Sequence, residues 1–107
     1  MKTTGKGTIK VTVLYGAPAD KAAFERYYAA THMPMVYAVE GIARIELGTP
    51  LPGPDGKAPA FYRITELWFD SLSAMQGVMA RPEWQKIVED VPRFATGGAT
   101  ILVSPLE

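Results

Sequence analysis

The chain has 107 residues, 48% of them apolar, and eleven basic side chains balance eleven acidic ones. That describes one globular domain with a modest core and excludes a disordered chain; the missing basic excess argues against a nucleic-acid partner. With no cysteine and a single histidine, a disulfide framework, a thiolate metal site and a cysteine nucleophile are excluded, and an all-protein zinc site is not expected.

Met1 to Gly7 is polar and reads as a flexible tail, with lysines but no apolar stretch behind them to form a leader. No apolar run approaches the roughly 18 residues that cross a membrane, so the expectation is a cytoplasmic protein with no membrane partner. Ile9, Val11, Val13 and Tyr15 alternate with Lys10, Thr12 and Leu14, the pattern of a half-buried strand. Gly16 to Ala19 breaks it, and Asp20 is placed to cap a helix. Pro34 is expected to end or kink that helix near Met33, because proline has no amide proton and restricts its predecessor. Gly41 marks the exit, and Ile42 to Leu47 is the second strand. The stretch Gly48 to Ala60 holds four prolines and three glycines, with a turn at Pro54-Asp55-Gly56. It reads as a long hairpin loop and a candidate lid. Phe61 to Phe69 is an aromatic-rich third strand. Asp70-Ser71 stops it and caps a helix from Leu72 to about Ala80, with Leu72, Met75, Val78 and Met79 as its buried stripe. Pro82 restarts a helix whose apolar side is Trp84, Ile87, Val88 and Val91, and Pro92 ends it. Phe94 anchors a loop before a last strand, Thr100 to Val103.

The order β-α-β-β-α-β suits an α+β, ferredoxin-like domain over residues 1–107: a four-stranded antiparallel sheet with helices on one face. Its usual strand order puts the first and third strands, the most apolar here, in the centre. The other sheet face mixes apolar and polar residues and needs cover, which a second copy of the chain would supply as a homodimer.

Chemistry concentrates on Phe24 to Pro34. In a helix capped by Asp20, Phe24, Tyr28 and His32 share one face, with Tyr27 and Thr31 beside them. His32 is the one side chain that titrates easily near neutral pH, so it is the candidate general acid or base. The plainer role is a core histidine that ties down a helix end through a carbonyl or carboxylate. Tyr15, Tyr28 and Trp68 are candidates to hold a substrate, by donating to an oxygen or stacking on a ring; simple core packing is the alternative. Glu66 interrupts an apolar strand. It either orients His32 or polarises a substrate, or it forms an ion pair at a dimer contact, with Arg44 or Arg63 as partner. No phosphate-cradling or dinucleotide-binding glycine motif, metalloprotease helix or nucleophile elbow is present, so no cofactor is expected.

The segment Phe24-x-x-Tyr27-Tyr28-x-x-Thr31-His32-Met33-Pro34 resembles the EthD family, named for a protein of ethyl tert-butyl ether degradation. The likeness continues in Ile64 to Leu72, Ala74-Met75, Pro82-Glu83 and Asp90-x-x-x-Phe94-x-x-Gly97-Gly98, and spans about residues 9 to 104. The resemblance implies a dimeric α+β barrel, in which two such sheets face each other with helices outside. It is similar to cofactor-free monooxygenases, muconolactone-type isomerases and polyketide cyclases, and it maps the family's histidine onto His32. It leaves three readings: an enzyme acting on a hydrophobic small molecule with His32 as acid/base; a non-catalytic small-molecule-binding or stress-related barrel; and an accessory protein of an oxidative pathway with no pocket of consequence.

Overall fold

The computed structural model describes residues 7–107; of the tail expected at residues 1–7, all but Gly7 lies outside the described residues. Four strands form one antiparallel sheet: β1 (Ile9–Tyr15), β2 (Arg44–Gly48), β3 (Arg63–Phe69) and β4 (Ala99–Pro105), in the order β2-β3-β1-β4. The first and third strands are central, as the pattern predicts. In register, Val11 lies opposite both Leu67 and Val103, and Ile45 opposite Leu67. Directly opposed residues share a face, so these apolar side chains line one side of the sheet together.

Two helical blocks cover that side. The first begins at α1 (Lys21–Tyr27), where the Asp20 carboxylate accepts from the Ala23 amide at 3.0 Å. The chain does not stop at Pro34. Instead Tyr28–His32 forms one wide π turn, in which the Met33 amide bonds back to the Tyr28 carbonyl, and α2 (Met33–Tyr37) follows. The reason is the missing proline donor. One extra residue in the turn places Pro34 at the first positions of a new helical segment, where a free amide is not needed.

The second block is α3 (Leu72–Met79), capped by Ser71, then α4 (Pro82–Asp90) and a tight 3-10 turn at Val91–Arg93. Met75 and Val78 are buried as expected, whereas Leu72 is half exposed at the helix start. The remaining strand limits move by one or two residues. β2 starts at Arg44, although the Ala43 amide already bonds the Trp68 carbonyl at 2.8 Å; β3 starts at Arg63, although the Tyr62 amide already bonds the Tyr15 carbonyl at 2.7 Å. β4 is longer than expected and lies at the sheet edge, with Ile101, Leu102 and Val103 all exposed.

The loop after β1 and the loop before β4 touch backbone to backbone. The Gly16 amide bonds the Gly98 carbonyl at 3.0 Å, and the Ala19 amide bonds the Thr96 hydroxyl at 2.9 Å. A Cβ on Gly97 would collide with the Ala17 carbonyl oxygen and with the backbone of Gly16. A Cβ on Gly16 would in turn meet the Gly97 carbonyl oxygen, so Gly16 and Gly97 both require glycine for space. Gly97→Ala is expected to lower stability by about 1–3 kcal/mol in urea unfolding. Gly77→Ala, on α3 with open space around it, is the control and should be neutral or stabilising; equal effects of the two would refute the close-contact account.

Candidate functional site

A cavity of ≈ 360 Å³ lies between the sheet and the two helical blocks. Val13, Tyr15, Thr65, Leu67 and Ile101 form its floor on β1, β3 and β4. Met33 and Val36 of α2 and Trp84, Ile87 and Val88 of α4 form its walls and roof, with Val91, Pro92 and Ala95 completing it. The size and apolar lining suit a small organic molecule.

His32 ends the wide turn and lines this cavity, with 3% of its surface exposed. Its Nδ1 lies 3.0 Å from Oδ2 of Asp90, the last residue of α4, which is itself 5% exposed. An ionised carboxylate only accepts, so Nδ1 carries the proton and Nε2 keeps the free lone pair. The other oxygen, Oδ1, accepts from the Tyr27 hydroxyl at 2.6 Å. Arg93 stands 4.0 Å from the same oxygen but is largely exposed, so its contribution is small. The His32 ring is held between Phe94, at 4.5 Å between centroids, and Tyr28, stacked at 6.2 Å.

These surroundings set the protonation states. Burial lowers the His32 pKa below 6.5, and the Asp90 hydrogen bond and charge oppose this without cancelling it. Burial alone would raise Asp90, but hydrogen bonds from Tyr27 and His32, with the nearby charges, hold it below its ordinary value. The site at neutral pH is thus a neutral imidazole backed by a carboxylate, the arrangement that orients a general base.

The sheet side of the cavity supplies hydroxyls. Burial, then the neighbouring Tyr28, pushes the Tyr15 phenol far above its ordinary value, with Thr65 close enough for an opposing hydrogen bond. The Tyr28 and Thr65 hydroxyls are hydrogen-bonded to each other. Tyr28 is fully buried behind the wall, with the Arg63 guanidinium 5.0 Å from its ring centroid. Tyr15 and His32 therefore meet at one cavity, and Tyr28 supports it from behind.

Trp68 and Glu66 do not join them. They alternate with Thr65 and Leu67 on β3 and so face the other side of the sheet. There Lys10 lies 3.3 Å from Glu66, the Thr12 hydroxyl donates to Glu66 at 3.4 Å, and the Arg44 guanidinium sits 4.8 Å from the Trp68 ring. The carboxylate that orients His32 is Asp90, not Glu66. The 48–60 loop contributes nothing to the cavity lining, so it is no lid in this structure; its Pro54-Asp55-Gly56 turn is present, closed by the Gly56 amide on the Gly53 carbonyl at 2.9 Å.

An EthD domain pattern matches residues 17–98. The protein belongs to the EthD family. A relative in Rhodococcus erythropolis, an uncharacterized 11.0 kDa protein in the thcB-thcC intergenic region, is 36% identical over 98 residues, covering 92% of this chain and 94% of its own. A crystal structure of an EthD family protein from Bacillus halodurans superposes with a TM-score of 0.83 at 27% identity, covering 91% of this chain and 96% of that one. A hydroxynitrile lyase from Passiflora edulis has a TM-score of 0.74 at 14% identity, covering 96% of each chain, and is a likeness of fold alone. Among the described residues no helix is long and apolar enough to cross a membrane.

Asp90, Tyr27, Thr65 and Trp84 are the site residues that sequence reasoning did not assign to the site. Two signals could have found Asp90: it follows Ile87 by three residues, at the edge of the buried stripe of α4, and it opens the Asp90-x-x-x-Phe94 stretch of the family resemblance.

With a single histidine, the imidazole proton signals titrate without overlap. The midpoint is expected below 6.5, and Asp90→Asn should lower it further by removing the one group that opposes desolvation. The stability linked to His32 is full above about 6.5 and is lost as pH falls from there through the folded-state value. A His32→Gln variant should lose that part of the acid sensitivity. A midpoint above 6.5 in the folded protein would contradict this account.

Proposed function

We propose that this EthD protein is a small enzyme that moves a proton on a hydrophobic molecule without a bound cofactor. His32 is its acid/base, Asp90 its positioning residue, and Tyr15 its substrate-holding phenol; Tyr28 supports the pocket wall. The supporting observation is the buried His32–Asp90 pair set into the wall of an apolar cavity. A neutral imidazole with a fixed tautomer accepts a proton from an activated carbon or a phenol, and the apolar walls hold the resulting anion. If that anion hands its electrons to dioxygen the enzyme is an oxidoreductase; if it regains the proton at another atom it is an isomerase- or cyclase-like enzyme.

The second reading is a small-molecule-binding barrel that leaves its ligand unchanged, and the predominance of apolar side chains in the lining favours it. One experiment separates the two. Phenols and ketones are screened for oxygen uptake and for hydrogen–deuterium exchange above the buffer rate. The enzyme reading expects His32→Gln to lose about 10²-fold or more of the rate while remaining folded, and Asp90→Asn to lose less. Unchanged turnover in His32→Gln removes the base role. A ligand recovered intact by native mass spectrometry, with no conversion under air, supports the binder.

The same reading includes a homodimer in which the open sheet faces meet. Glu66 and Glu46 stand directly opposite each other on that face, and each is held by a cation, Lys10 and Arg44 respectively. Glu66 and Trp68 belong to this contact, not to the cavity. Sedimentation at micromolar concentration should give twice the chain mass, and a monomer would count against the barrel.

A further inference from the structure

We propose that the cavity is built for an uncharged carbonyl compound with an acidic α C–H, its oxygen at the hydroxyls of Tyr15 and Thr65 and its carbon at His32. This rests on the base role of His32 given above and names the substrate class for it.

Charge decides the first half. Among the described residues no Lys, Arg, Asp or Glu side chain lines the cavity. The buried charge behind His32 is the Asp90 carboxylate, already engaged by Tyr27 and His32. An anionic ligand would give up its water and find no free cation, because the Arg63 guanidinium behind Tyr28 is outside the lining and already held by Glu25, and a cation would find no free carboxylate. A neutral molecule is the occupant that loses least on entry.

The positions of the polar groups decide the second half. His32 hangs from the helical layer, whereas Tyr15 and Thr65 rise from β1 and β3, the opposite wall. One wall therefore accepts a proton and the other presents hydroxyls. Burial keeps the Tyr15 phenol protonated, and Tyr28 shares a hydrogen bond with Thr65, which fixes that hydroxyl in place. In the step these walls fit, the α C–H bond breaks and its proton passes to Nε2 of His32. The electron pair forms the carbon–carbon double bond of an enolate, and the carbonyl π pair moves onto oxygen. That oxygen accepts hydrogen bonds that strengthen as its charge grows. Return of the proton from His32 completes the cycle, and no oxidant or cofactor is consumed.

The test uses three bicyclic probes of matched size with the intact protein: 2-tetralone, a neutral ketone; 2-naphthoate, a carboxylate; and tetralin, which has no oxygen. Binding is read by calorimetry and by fluorescence of Trp84, which lines the cavity. The ketone is expected to bind at least about tenfold more tightly than the carboxylate at pH 7.5. Tyr15→Phe should weaken ketone binding about tenfold and leave tetralin unchanged, with Thr65→Val acting in the same direction. A carboxylate that binds as well as the ketone, no ketone binding at millimolar concentration, or ketone binding unchanged in both variants would overturn the proposal. Exchange of the tetralone α protons in D₂O keeps the two readings apart. Loss of exchange in His32→Gln with ketone binding retained supports both. Exchange that persists at the wild-type rate removes the base role, while the carbonyl assignment still stands or falls on the Tyr15 and Thr65 variants.

Discussion

The hydrogen bond between His32 and Asp90 joins the two helical blocks that cover the sheet. His32 ends the wide turn of the first block and Asp90 ends the last helix of the second. Neither group is tolerable alone at its depth. A buried carboxylate without donors loses hydration it cannot replace, and a buried imidazole without a partner leaves its N–H unmatched. Tyr27, one turn of chain before His32, adds a second donor from the same block. The site is therefore also a clasp. What aligns the imidazole also fixes the spacing of the cavity walls, so orientation and architecture depend on one set of atoms.

The wide turn is what makes this geometry available. A regular helix continued through Pro34 would carry a missing bond and a clash with the preceding turn. Inserting one residue relieves both and lets Tyr28, His32 and Met33 all face inward, where each is buried. Phe94 then packs against the His32 ring, and its own loop is held down by the close glycine contact with the chain after β1. The aromatic cluster is thus the rear support of the histidine. Its rings fill the space behind the site, while the cavity opens on the other side.

Much of this was legible in the sequence, for a physical reason in each case. Alternation in Ile9 to Tyr15 and the caps at Asp20 and Ser71 act locally, so strands and helix starts could be read from spacing. Helical period placed Phe24, Tyr28 and His32 on one face, although the wide turn that completes their burial was not part of that pattern. Pro34 was legible as a disturbance, but not in which form, because a kink, a stop and a wide turn all satisfy a missing donor. Pairing across 58 residues was not legible: His32 meets Asp90 only once both blocks lie on the sheet. The parity of Glu66 with Trp68 was plain in the sequence, yet parity does not say which face is the core. The sheet decides that through Thr65 and Leu67, and it turns Glu66 and Trp68 away from the histidine.

That division of β3 gives the two faces of the sheet different electrostatic characters. The open face carries its charges in compensated pairs: Lys10 with Glu66 and Arg44 with Glu46, around a tryptophan covered by the Arg44 guanidinium. In each pair the carboxylate already has a cation beside it, so neither Glu66 nor Glu46 stands as an isolated charge on that face. Among the described residues the cavity lining has no charged side chain, and the buried Asp90 carboxylate behind it is spent on Tyr27 and the imidazole. A strong field there would bind charged ligands but would also move the imidazole pKa upward or downward with each occupant. With neutral hydroxyls on one wall and a neutral imidazole on the other, Nε2 of His32 keeps its free lone pair at neutral pH, and under the proposed chemistry the charge that appears during proton transfer would be the main one the walls must stabilise.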